Sequence, residues 1–155
     1  MGILIIHQVN FSFTVEYDKQ LKETKENRAN MEETLKDVLE ALKTEEAIQM
    51  LNGETELVLK KITEGLELDE KMLGVVFNYA KLLYDSGEYE GNKLYQTLEA
   101  VRLLYFLEHK SNDKEDMMRA LWGQLSGHIM LDQKEKYRYD FIRLKDIIDS
   151  LVPCL

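Results

Sequence analysis

The chain has one proline, Pro153, and one cysteine, Cys154, among 155 residues. A proline ring inside a helix removes a donor and clashes with the preceding turn, so residues 1 to 152 carry no obligatory break of that kind. Glycines number only eight and charged residues reach 32%. Sandwiches and barrels need more frequent turn punctuation, which leaves a mostly helical chain. A single cysteine forms neither an internal disulfide nor a CxxC metal or redox pair, so a reducing, cytoplasmic compartment is expected. A basic stripe is missing too: the formal net charge is -9, and residues 16 to 71 hold 16 acids against 9 bases. Nucleic-acid binding draws on clustered cations that displace counterions from phosphate, so direct binding of RNA or DNA is not expected.

The opening, MGILIIHQVNFSFTV, is apolar but has no basic leader and no small-residue cleavage site, and it is too short to span a bilayer as a helix. It reads as neither a signal peptide nor a membrane span. Val9, Phe11, Phe13, Val15 and Tyr17 alternate with polar residues at the period of two of a strand. Residues 1 to 15 are therefore expected to be an unassigned, extended segment ahead of a helical-repeat domain over residues 16 to 155. A lone strand would pair with another chain, cover the end of a helical stack, or come from an imperfect gene start.

From Tyr17 the period changes. Tyr17, Leu21, Thr24, Arg28, Met31, Leu35, Val38 and Leu42 are spaced by fours and threes, the signature of one helical face. Two polar members favour a long helix laid along its neighbours over a dimeric coiled coil. Thr44 and LNGETE then break the run. Between Met72 and Tyr84 two stripes lie side by side, Met72, Val76, Tyr79, Leu83 and Leu73, Phe77, Ala80, Tyr84, which suits a helix sandwiched between others. Asp69 is placed as its N-cap and Gly87 as its C-terminal cap, with Asn78, Lys81 and Asp85 off both stripes. A further helix spans about residues 93 to 108, with Leu94, Leu98, Val101 and Tyr105 on one face and Ala100, Leu103, Leu104 and Leu107 widening it. After a polar EHKSNDKE loop comes a helix with Met118, Trp122, Leu125 and Ile129 in phase, Asn112 and Glu115 standing at capping-box spacing. A last helix carries Tyr137, Phe141, Leu144, Ile148 and Leu151, with Asp132 and Glu135 ahead of it. Antiparallel helices joined by short polar turns make a solenoid or a bundle.

Chemistry-bearing constellations are scarce. His7, His109 and His128 fall in separate elements, none three or four residues from another histidine or a cysteine, so no metal site is written. His128 borders the Trp122 and Leu125 stripe, where a structural histidine fits better than a general base lacking a nucleophile within a turn. Phosphate loops, nucleotide-binding glycine fingerprints and nucleophile elbows are absent. Acid pairs such as Glu32 with Glu33 diverge by about 100° around a helix and read as solvated faces. KEKYRYDFIRLK interleaves aromatics with bases, but residues 133 to 149 balance five bases with four acids, and Tyr137 and Phe141 fall in the core stripe. No catalytic residue, cofactor or metal is expected.

Tetratricopeptide-type repeats place a small residue where two helices pack closest, a glycine at the turn and an aromatic at the start of the second helix. Ala80, Gly87 and Tyr89 follow that order, and WGQLSGHI supplies Trp122, Leu125, Ser126 and Ile129 in the first-helix pattern. The 46 residues from Val76 to Trp122 exceed the roughly 34 of a regular repeat, so the expected fold is all-α, with irregular TPR-like antiparallel hairpins forming an αα-solenoid. Ala80, Gly87, Tyr89, Trp122 and Leu125 are its expected structural positions.

YAKLLYDSGEY, LWGQLSGHIM and DFIRLKDIID together resemble the N-terminal helical region of the E-subunit family of eukaryotic translation initiation factor 3, over roughly residues 19 to 150. That resemblance implies a non-enzymatic scaffold of the PCI class, in which a helical arm leads into a winged helix that joins neighbouring subunits. It implies partners among the other subunits of the initiation factor and, through them, the small ribosomal subunit. Residues 1 to 15 match nothing in that pattern, the part between Tyr89 and Trp122 is longer, and no winged helix follows within the 155 residues, as expected of a fragment or truncated form. Related lid-type subunits of the proteasome or the COP9 signalosome share the same expectations, and a self-dimerising helical module is the alternative of a different class.

Overall fold

A computed structural model describes residues 2–45, 66, 69–86 and 93–151. The described residues form six helices and no strand: α1 (Gly2–Thr34), α2 (Lys36–Leu42), α3 (Glu70–Ser86), α4 (Lys93–Lys110), α5 (Lys114–Met130) and α6 (Lys134–Leu151). The fold is all-α. The chain divides into two compact units, Met1–Thr34 and Leu35–Leu155.

The first unit is α1 alone, and it corrects the extended segment expected at residues 1 to 15. Its backbone is helical from Gly2 onward and crosses residue 15 without interruption. Once nucleated, a helix gains one hydrogen bond for each residue added, and no proline or internal glycine lies between Ile3 and Thr34 to stop it. A lone strand would instead leave its ladder donors and acceptors unpaired. Along the described side chains the surface is solvated, with Lys22 and Glu26 and, closer at 2.9 Å, Arg28 and Glu32 paired across one turn. Tyr17 and Leu21 are exposed.

The helix expected to continue from Tyr17 to Leu42 is interrupted at Leu35, where φ is -97° and ψ is 9°, and the second unit begins. From Leu35 on the stripe goes inward: Leu35, Val38 and Leu42 are buried, and so is Leu39 beside them. Thr44 donates to the Ala41 carbonyl at 2.9 Å just past the helix end, where the sequence places a break.

Asp69 caps α3 as expected, accepting from the Met72 amide at 2.7 Å. Val76, Tyr79, Ala80 and Leu83 are buried, while Asn78, Lys81 and Asp85 are exposed, so the two-stripe reading of this helix matches its packing. Gly87 and Tyr89 lie outside the described residues, as does the LNGETE break. From α3 on, each helix packs against the next in sequence: α3 on α4, α4 on α5, α5 on α6. Only residues 111–113 join α4 to α5 and only 131–133 join α5 to α6, so in each pair the chain reverses direction. The loop expected over EHKSNDKE is thus shorter, because Glu108 is buried and holds the last turn of α4. The cap of α5 is Asp113 and not Asn112: its carboxylate accepts from the Glu115 amide at 2.9 Å.

Asp132, read from sequence as the start of a cap before α6, instead closes the end of α5. Its φ is 52°, the left-handed region. The Asp132 amide donates to the Ile129 carbonyl at 3.1 Å and the Gln133 amide to the His128 carbonyl at 2.9 Å, the paired bonds of a Schellman ending. Aspartate tolerates this conformation better than a β-branched residue does. Asp132→Val is expected to destabilise the domain by about 1 to 2 kcal/mol and Asp132→Gly to leave it unchanged or slightly more stable. Chemical denaturation of the two variants beside the parent checks this, and equal midpoints for Asp132→Val and the parent would contradict it.

Candidate functional site

On α5 two glycines one turn apart, Gly123 and Gly127, mark where three helices come closest. A Cβ at Gly127 would lie 2.3 Å from both Tyr84 Oη of α3 and Val101 Cγ2 of α4, and one at Gly123 would lie 2.4 Å from Leu104 Cδ1. Neither contact is sterically possible as it stands, so glycine is what admits Tyr84, Val101 and Leu104 to the surface of α5. Tyr84 uses that access to donate its hydroxyl to the Gly123 carbonyl at 2.8 Å. Burial raises the Tyr84 pKa above its ordinary value, with the Asp140 charge adding to it.

Around this seam lies a buried polar cluster. Gln124 Nε2 donates to Glu108 Oε2 at 2.9 Å, and the Arg143 guanidinium from α6 donates to Glu108 Oε1. Glu108 is buried, and these two donors compensate a carboxylate that would otherwise be costly to desolvate. Burial lowers the Arg143 pKa. Its guanidinium also stands 5.3 Å from the centre of the Tyr139 ring, a cation–π distance. Nearby, Tyr105 stacks against His109 with ring centres 4.3 Å apart. Burial pushes the Tyr105 hydroxyl up to about 12, opposed by Arg143 and assisted by Tyr139 and Asp140. His128 Nδ1–H donates to Asp140 Oδ2 at 2.5 Å, and both residues are buried. A histidine beside a carboxylate has the makings of a general base, but this one is sealed from solvent and ties α5 to α6. Among the described residues no group of three or more histidines, cysteines or carboxylates could hold a metal ion.

The expected structural positions are distributed unevenly. Ala80 and Leu125 are buried. Trp122 is not: it is 51% exposed, and with Ile129 at 56% and Phe141 at 57% it corrects the stripes read on α5 and α6. The buried face of α5 is instead Ala120, Leu121, Gln124, Leu125, Gly127 and His128. On α4 the wide apolar sector is buried at Ala100, Val101, Leu103, Leu104 and Leu107, and only Leu94, in the first turn, is exposed. Closest approach selects the glycine face, and that face then turns the bulky Trp122 and Ile129 outward. Gly123, Gly127, Glu108, Gln124 and Asp140 were missed by hydropathy; the spacing of two glycines by four, in WGQLSG, was the signal that could have found the seam. Leu121, Leu125 and Leu144, with Met118, Tyr137 and Ile147 partly buried against them, seal the other edge of the α5 and α6 contact.

With the geometry established, relatives give it a context. The chain is similar to the E subunit of eukaryotic translation initiation factor 3. Identity is 24% to that of Arabidopsis thaliana over 163 aligned positions, which cover 96% of this chain and 35% of the relative. It is 24% to that of Caenorhabditis elegans, covering 83% and 29%, and 27% to that of Brugia malayi, covering 86% and 30%. This chain therefore spans about a third of the length of the relatives it matches. No family model matches, and neither does any solved structure.

Gly127→Ala is expected to cost about 1 to 3 kcal/mol by overpacking, and more than Gly123→Ala, whose Cβ meets only the end of a leucine side chain. Removing the Tyr84 hydroxyl removes one of the two clashing atoms. A double-mutant cycle of Gly127→Ala with Tyr84→Phe, read by urea denaturation, should therefore show the pair less destabilised than the sum; strict additivity would contradict the seam.

Proposed function

We propose that this chain is a non-enzymatic helical scaffold that acts, in the cytoplasm, as a part of translation initiation factor 3 in the manner of its E subunit. The observation that carries this reading is the similarity to the Arabidopsis thaliana E subunit across 96% of the chain. The geometry supports it in two ways. The sole buried histidine–carboxylate pair among the described residues is closed to substrate, and the polar groups of the core are engaged in holding helices together. Meanwhile apolar side chains that hydropathy assigns to a core, Trp122, Ile129, Phe141 and Ile148, face outward, where a neighbouring subunit would cover them. In this reading the consecutive helices form an irregular TPR-like αα-solenoid of the PCI class, its contacts are with the other subunits of the factor, and it meets the small ribosomal subunit through them. The same outward residues favour one second reading, association of two copies of the chain.

No helix among the described residues is long and apolar enough to cross a membrane, which is compatible with work in the cytoplasm. Affinity-tagged protein expressed in its native cells and purified under mild conditions should bring down the other subunits of the initiation factor, identified by mass spectrometry. Recovery of none of them would overturn the scaffold reading. Light scattering on the isolated chain separates the second reading, which requires a mass that doubles with concentration.

A further inference from the structure

The attachment of α6 is built differently from the other helix contacts of its unit. On α4 the buried residues include Ala100, Val101, Leu103, Leu104, Phe106 and Leu107, whereas on α6 only Asp140 and Leu144 are buried. Leu144 packs on Leu121 and Leu125 of α5, with Tyr137 and Ile147 partly buried beside it. The other anchors are polar: Asp140 accepts from His128 of α5, and Arg143 donates to Glu108 of α4. Phe141, Ile142, Ile148 and Leu151 of the same helix stay exposed. None of the residues that make the glycine seam, Tyr84, Val101, Leu104, Gly123 and Gly127, lies on α6.

We propose that α6 is a latch, which releases from α5 as one unit about residues 131–133 while α3, α4 and α5 stay packed through the seam. Stability from apolar burial scales with the area taken from water, and α6 buries one large apolar side chain fully. Its polar anchors do not make up the difference, because a buried ion pair gains attraction at the expense of hydration and the two nearly cancel. A sliding of α6 would leave charges buried and unpaired. Full release instead returns Asp140 and Arg143 to water and uncovers His128, Leu121 and Leu125 on α5. The same pairs therefore forbid a shift of register and permit detachment. The connection works in the same direction: Asp132 holds a left-handed φ of 52° in the closed hairpin, and opening lets it relax.

Native-state hydrogen exchange of the full chain, followed at several urea concentrations below the unfolding transition, tests the latch. The amides of α6 from Phe141 to Ile147 should share one opening equilibrium, exchange at least tenfold faster than the slowest amides of α4, and accelerate together with urea, because the opening exposes surface. Exchange that differs from residue to residue and ignores urea would mean local fraying, and exchange only through global unfolding would make α6 an integral part of the core. Either result overturns the proposal. Replacing the polar anchor by apolar groups, His128→Leu together with Asp140→Val, should hold the latch shut and slow the α6 amides about tenfold, since such replacements are often stabilising. Equal or faster α6 exchange in the folded double variant would overturn the role given to the pair. Should that variant fail to fold, the urea series on the parent decides alone.

Discussion

Everything in the second unit turns on how closely α5 approaches its neighbours. Glycine at 123 and 127 lets the side chains of Tyr84, Val101 and Leu104 reach positions that a methyl group would occupy. That approach fixes the rotation of α5 about its own axis. From the rotation follows which residues are buried on α5, and from them which groups α6 and α4 have to satisfy. Gln124 and His128 point inward because the glycine face does, and Glu108 of α4 and Asp140 of α6 are their respective partners.

Polar groups in a core add less stability than well-packed hydrophobic ones, but they are demanding about geometry. Glu108 is served by two helices at once, Gln124 from α5 and Arg143 from α6. A shift of either helix by one turn would strand a buried carboxylate, and breaking such a pair costs about 3 to 5 kcal/mol. The cluster therefore holds the register of consecutive helices, a requirement for a helical array in which each helix meets chiefly the next. With the core given over to register, the bulky Trp122, Ile129 and Phe141 are left exposed.

Hydropathy read α3 well because its buried face is made of large apolar residues, Val76, Tyr79 and Leu83, with Asp69 supplying a cap that depends on local chemistry alone. It misread α5 and α6 because glycine and polar residues do the packing there, and a stripe drawn through the bulkiest side chains lands on the outer face. Helix existence was legible for α3 to α6; rotation was not, since rotation is decided by contacts between helices and not by the pattern within one. At residues 9 to 17 a short alternation suggested a strand, whereas uninterrupted helix propagation from Gly2 to Thr34 prevails. The Asp132 turn was invisible for a related reason: aspartate before a helix and aspartate after one look alike until the carbonyl partners, Ile129 and His128, are known.

Native-state hydrogen exchange followed residue by residue tests the central claim, that the second unit is keyed at the α4 and α5 seam. The slowest amides, those that exchange only on global unfolding, should fall in α4 from Val101 to Glu108 and in α5 from Leu121 to His128. If α6 alone were the most protected while α5 exchanged as fast as its connecting loops, the glycine seam would not be what holds this fold together.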